Sequence, residues 1–124
     1  MDRERRKSRR FNVFLNAGII SDNTFYKGFA GNLSVNGLYV RISSAKSSIM
    51  FADRINVYLR PLSDRDGELD LYCRRIWSYE IPQDSSKGIS AYNMGMKILD
   101  LSDDYNTFYR NLAVENLNEY IKRL

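Results

Sequence analysis

Apolar and polar positions alternate along most of this chain, and the spacing changes to threes and fours only towards the C-terminus. Phe11 to Ile20 predicts a first strand, aromatic and β-branched, with Phe11, Val13 and Leu15 on one face. Ser21-Asp22-Asn23 marks a turn. Thr24 to Leu33 predicts a second strand, within which Gly28 and Gly31 mark bends or bulges. Val35-Asn36-Gly37 holds an Asn-Gly pair, the strongest short-range hairpin signal, and Leu38, Val40 and Ile42 alternate cleanly after it. Ser43 to Ser48 is polar and reads as a loop. Ile49-Met50-Phe51 is a short apolar patch, a lid or a plug.

Arg54 to Leu62 alternates again through Ile55, Val57 and Leu59, and Pro61 with Ser63-Asp64-Arg65-Asp66-Gly67 ends it in a turn. Glu68 to Ile81 predicts a long strand with Leu69, Leu71 and Cys73 on one face. Adjacent Ile76 and Trp77 break its phase, which places a bulge near Arg74-Arg75. Trp77 could stack on a bound molecule, but a lone tryptophan in a barrel strand is more often core. Pro82 to Gly88 reads as a polar loop. Ser90 to Leu101 predicts a last strand with Met94, Met96 and Ile98 on one face.

The period then becomes helical. Tyr105, Phe108, Tyr109, Leu112, Ala113, Leu117, Tyr120, Ile121 and Leu124 recur at helix spacing, predicting an amphipathic helix over about 103–123 that closes the core. Ser102 or Asp103 caps it, Asp103 and Asp104 suit the positive end of its dipole, and Lys122 and Arg123 suit the other. Antiparallel strands without intervening helices, followed by one terminal helix, predict an all-β fold: a small closed barrel with the helix over one opening.

Composition narrows the chemistry. A chain of 124 residues, 44% hydrophobic and 27% charged, is expected to form one globular domain. No apolar run approaches 18 residues, so no membrane insertion is expected, and the charged N-terminus lacks the apolar stretch of a secretory signal. The single cysteine, Cys73, excludes an internal disulfide framework and fits a cytoplasmic location. There is no histidine, which removes the commonest general base and the commonest transition-metal ligand, and one cysteine cannot build a zinc site. Asp64/Asp66 and Asp103/Asp104 sit in a turn and at a helix start, where aspartate is expected structurally. Neither an enzyme nor a cofactor is expected.

Charge changes the picture more. Arg3, Arg5, Arg6, Lys7, Arg9 and Arg10 crowd six cations into the first ten residues, offset only by Asp2 and Glu4. The whole chain is +4, so residues 11–124 sum to zero. The basic character belongs to an arm, residues 1–10, attached to a neutral domain, residues 11–124. A concentrated cationic arm implies an anionic partner.

Two motifs stand in order at the ends of the first two strands: Arg6-x-x-x-Arg10, with Arg5-x-x-x-Arg9 in the overlapping register, and Asn32-x-Ser34-x-x-Gly37. With Arg75-Ile76-Trp77 and the glycine-centred run Tyr92 to Ile98, they make the chain resemble the PilZ domain family from Arg5 to about Asp104. That resemblance implies a six-stranded antiparallel β-barrel that binds cyclic di-GMP, with the arginine arm as a flexible switch folding over the nucleotide. Asn32 stands where many members of the family carry aspartate. The resemblance assigns ligand binding to Arg5, Arg6, Arg10, Asn32, Ser34 and Gly37, with cyclic di-GMP a ligand rather than a cofactor and a downstream protein as the reader of the bound state.

The residue types suit that ligand. A guanidinium fork matches the O6 and N7 acceptors of guanine bidentately and also pairs with phosphate. Asn32 can donate to or accept from a guanine edge, and Ser34, two residues on and so on the same face of the strand, can contact base or phosphate. Gly37 permits a positive φ or close backbone approach. A basic arm beside an aromatic-rich barrel also suits single-stranded nucleic acid, although a neutral barrel argues against a nucleic-acid polymer as partner. A third reading is a degenerate PilZ domain serving as a protein adaptor.

Overall fold

The computed structural model describes residues 10–60 and 67–122, with helix side chains described through 115 and at 121–122. Six strands, β1 (Phe11–Ser21), β2 (Thr24–Leu33), β3 (Gly37–Lys46), β4 (Arg54–Arg60), β5 (Leu69–Asp84) and β6 (Ile89–Ile98), precede helix α1 (Asp103–Lys122). They form a closed antiparallel barrel in the order β1-β2-β3-β6-β5-β4, with β4 returning to pair with β1. The arm residues Arg5 and Arg6, the turn expected over 63–66 and the last residues of the expected helix lie outside the described residues.

Alternation decides which side chains go inside. Ala17 and Ile19 of β1, Val40 and Ile42 of β3, Val57 and Leu59 of β4, Leu71 and Cys73 of β5 and Met94 of β6 are all buried in one aliphatic core. The barrel interior is therefore packed, and a ligand has to be met on the outside. Burial without a charged neighbour pushes the Cys73 thiol up to about 12, as expected of a packed thiol rather than a reactive one.

The two barrel ends are closed differently. At the end where β1 starts and β6 finishes, α1 inserts Tyr105 and Phe108 into the core, with Tyr109 and Leu112 packed behind them. Ser102 is the cap: its Oγ accepts from the Tyr105 N–H at 3.1 Å. Further along α1, Val114 and Ile121 face solvent. At the opposite end Phe51 is the plug, buried against Tyr92 and Tyr26 with ring centroids 5.0 and 5.4 Å away. Its neighbour Met50 is 89% exposed. A polar clamp holds this connection. Glu80 accepts from the Ser90 hydroxyl at 2.7 Å and from the Ser48 N–H at 3.0 Å. The Tyr92 hydroxyl donates to the Lys46 carbonyl at 2.6 Å.

Three local expectations are corrected. The polar residues 43–46 and 82–84 belong to strands, because β3, β5 and β6 run on past the core and pair Ala45 and Pro82 with Ser90. Away from the core, polar side chains no longer distinguish strand from loop. Asn36-Gly37 forms no positive-φ hairpin turn. That conformation belongs to Asp22 and Asn23, with φ of 50° and 63°, which close the two-residue β1–β2 hairpin. Two of the register shifts bear on the outer face: one at Gly31, between the pairs Ala30–Val40 and Asn32–Tyr39, and one at Ile76, between Arg75–Met96 and Trp77–Gly95.

Candidate functional site

Strand register assembles the site on the outer face of the barrel. Phe11 pairs with Leu33, and Asn12 with Asn32, so Arg10 leaves β1 beside the turn that follows β2. The Gly31 bulge resets the phase of β2 and pairs Asn32 with Tyr39. Tyr39 pairs with Gly95, and Gly95 with Trp77. Asn12, Asn32, Tyr39, Gly95 and Trp77 thus form one continuous outer row across five strands.

The turn itself is held rigidly. The Ser34 N–H donates to the Gly37 carbonyl at 2.9 Å, and the Ser34 hydroxyl donates to the same oxygen at 3.3 Å. The Ile98 N–H donates to the Asn36 carbonyl at 2.8 Å. From the helix, the buried Tyr105 hydroxyl donates to the Ser34 carbonyl at 2.5 Å. Burial pushes the Tyr105 phenol well above its usual range, so it stays a neutral donor. Gly37 is needed for closeness rather than for a positive φ: a Cβ there would stand 3.0 Å from the Met96 carbonyl oxygen and 3.3 Å from Ser34 Oγ.

Arg10 is exposed, Asn32 and Gly37 are half-buried, and all three border the same turn. Ser34 differs from its sequence reading. It lies beyond the end of β2, and its side chain is buried, so it does not share an outer face with Asn32. Arg5 and Arg6 lie outside the described residues.

Trp77 is not a core residue. It is 38% exposed and lies over Gly95, where a Cβ would approach its Nε1 to 2.3 Å. Its ring centroid is 6.0 Å from that of Tyr39 and 5.4 Å from that of Tyr79, giving an aromatic shelf beside Asn32. The bulge at Ile76 turns the tryptophan outward, and the phase break in Ile76-Trp77 was the signal in the sequence for it. Lys97 pairs with Gly37 on one side and Arg74 on the other. Among the described residues the ion pairs are Arg60–Glu68 at 3.6 Å and Arg75–Asp53 at 3.5 Å. Arg10, Lys97 and Arg74 take part in neither, so the shelf is flanked by unpaired cations.

A face that combines aromatic rings, backbone and amide hydrogen-bonding groups and unpaired cations has the chemistry to suit a planar anionic molecule. A separate groove runs over the outside of β1 and β2, lined by Phe14, Phe25, Lys27, Phe29 and Tyr58. It does not include the motif turn. Among the described residues, no group of His, Cys, Asp and Glu side chains could hold a metal ion, and no helix is long and apolar enough to cross a membrane.

Solved structures with this fold include the PilZ domain of Escherichia coli YcgR with c-di-GMP, at a TM-score of 0.68 and 14% identity over 96% of each chain. The Bacillus subtilis inhibitor of motility MotI/DgrA gives a TM-score of 0.67 at 14% identity, covering 91% of this chain and 52% of that one. The Borreliella burgdorferi PlzA protein in complex with c-di-GMP gives 0.61 at 8% identity, covering 94% and 54%. This chain therefore spans about half the length of the Bacillus and Borreliella proteins. At such identities the likeness is one of fold. No curated protein sequence matches. A family model described as the PilZ domain matches residues 4–113, nearly the whole chain, and with the barrel and its motif turn in place the chain belongs to the PilZ domain family.

Proposed function

We propose that this protein is a cytoplasmic receptor for cyclic di-GMP, and that the ligand orders the arm, residues 1–10, against the outer face of the barrel. The observation that carries this reading is the register placing Arg10, Asn32 and the Ser34–Gly37 turn beside the Tyr39–Trp77 shelf. Two of the structures that share the fold were solved with that nucleotide. Arg10, with Arg5 and Arg6, supplies guanidinium forks for guanine edges and phosphates. Asn32 reads a base edge. Gly37 lets the ligand approach the backbone, and Lys97 neutralises a phosphate. Ser34 acts mainly by fixing the turn. Trp77 and Tyr39 stack against a base without selecting among bases.

Ordering the arm costs about 1–2 kcal/mol per residue in backbone entropy. A micromolar complex retains about 8 kcal/mol net, so several of these contacts must form together. The ordered arm and the nucleotide then present a composite surface that a downstream protein reads.

Calorimetric titration with cyclic di-GMP, with GTP as control, tests the reading. The expected result is selective binding in the micromolar range or tighter, weakened at least about tenfold by Arg10→Ala or Arg6→Ala. No binding at low salt would refute the receptor reading. A titration with single-stranded RNA would then separate a polymer-binding barrel, whose affinity falls steeply with salt, from a protein adaptor.

A further inference from the structure

One step along the strands from the Asn32–Tyr39–Gly95–Trp77 row lies a second outer row. Phe29 pairs with Arg41, Arg41 with Asn93, and Asn93 with Tyr79. Two groups in it matter here. Asn93 Oδ1 is fully enclosed and accepts no hydrogen bond, alone among the buried side-chain nitrogen and oxygen atoms of the described residues. Arg41 is half-buried on the same face and takes part in no ion pair among the described residues. A buried acceptor without a donor is costly to keep, and a half-buried guanidinium with no protein partner keeps its donors free for a ligand. They are neighbours across one ladder, next to the aromatic shelf, and their needs are complementary to one molecule. It must offer acceptors to Arg41 and a donor to Asn93.

We propose that Arg41 and Asn93 form the guanine-selecting edge of the ligand site. This rests on the cyclic di-GMP reading above and adds the residues that choose the base. Guanine carries the acceptors N7 and O6 side by side, and next to O6 the donor N1–H. The Arg41 fork donates to N7 and O6, and Asn93 Oδ1 accepts from N1–H. Adenine presents the N6 amino donor in place of O6 and an acceptor in place of N1–H. Donor then meets donor and acceptor meets acceptor, so adenine is rejected at both positions. Position 93 points away from the barrel interior, flanked by Arg41 and by Tyr79, which is 65% exposed. Because Oδ1 is enclosed in the free protein, this assignment requires the side chains that cover it to move aside when the base binds.

The test uses the full chain and its Arg41→Lys and Asn93→Ala variants. Each is titrated with cyclic di-GMP and cyclic di-AMP, and each is melted without ligand. Arg41→Lys keeps the charge and loses the fork. Asn93→Ala removes an acceptor that has no partner in the free protein, so its melting temperature should hold or rise. Both variants should lose about tenfold or more in affinity for cyclic di-GMP, and the wild-type preference over cyclic di-AMP should narrow. Variants that bind cyclic di-GMP like the wild type, or a wild type that does not distinguish the two dinucleotides, would overturn the assignment and leave the receptor reading standing. A wild type that does not bind cyclic di-GMP would end both. If Asn93→Ala fails to fold, its unpartnered acceptor was not a cost, which counts against the proposal, and Arg41→Lys still decides the fork.

Discussion

Tyr105→Phe isolates the contact between the helix and the motif turn. The ring keeps its place in the core, so no cavity opens, and only the hydroxyl is lost. That hydroxyl donates at 2.5 Å to the Ser34 carbonyl, and both residues are buried. The variant leaves a buried carbonyl without this donor, a loss of about 1–3 kcal/mol. For a domain of this length, each kcal/mol corresponds to about 4 °C in melting temperature, so a fall of about 4–12 °C is expected. Tyr105→Ala adds a cavity and should cost about 3–5 kcal/mol, close to the whole stability of a marginal domain. Urea titrations followed by tryptophan fluorescence and circular dichroism measure both, with an unchanged m-value showing that only stability has moved. Hydrogen exchange localises the effect: amides of the Ser34–Gly37 turn should lose protection in Tyr105→Phe before those of β4. A Tyr105→Phe protein within about 0.5 kcal/mol of wild type, with the turn equally protected, would refute the view that α1 holds the turn in place.

Gly95→Ala should displace the Trp77 ring, because the added carbon would stand 2.3 Å from Nε1; a loss of about 1–3 kcal/mol and a red-shifted tryptophan emission are expected, and an unchanged emission maximum would count against it. The Ser90 hydroxyl first, and the Ser48 N–H second, hold the Glu80 carboxyl below its usual range. A lowered folded-state pKa gives stability that is present above the unfolded value and lost as pH falls through the folded one. The stability gap between wild type and Glu80→Gln should therefore shrink on acidification, and a gap independent of pH would show that the clamp does not need the charge. Cys73 should be silent to a thiol reagent in the native protein at about pH 8 and react fully in denaturant; rapid native labelling would contradict its burial.

The fold was legible because its core is aliphatic and strictly alternating. Ile55, Val57 and Leu59, or Met94, Met96 and Ile98, admit no other reading than one face of a strand. Boundaries were lost where strands outrun the core: nothing in Ser43-Ser44-Ala45-Lys46 says strand except the partner it pairs with. The site was half legible. Arg10, Asn32 and Gly37 do converge on one turn, as their motif spacing implied. Trp77 was read chiefly as core because residue type favours the interior; the phase break at Ile76-Trp77 pointed outward, but Gly95, which leaves room for the ring, becomes its neighbour only through the β5–β6 ladder. Ser34 was misjudged because counting by twos presumes that the strand continues, and it ends at Leu33. Arg41 and Asn93 carry no local signal at all, since they become neighbours only through the β3–β6 ladder.

The ring of strands has a further meaning. Each of the six is paired on both sides over the body of the barrel, so recognition there cannot proceed by adding a strand; only where β5 runs on past β4, beyond Arg75, does it have a neighbour on one side alone. Whatever recognises the body of the barrel has to read its outward side chains, which occupy every second position and are separated from the core by the sheet itself. Those positions can be rewritten one at a time without disturbing the packing behind them. A closed sheet of this kind works as a printing surface: the same stable block can carry different messages to different readers, and the reader's specificity can change while the fold stays constant.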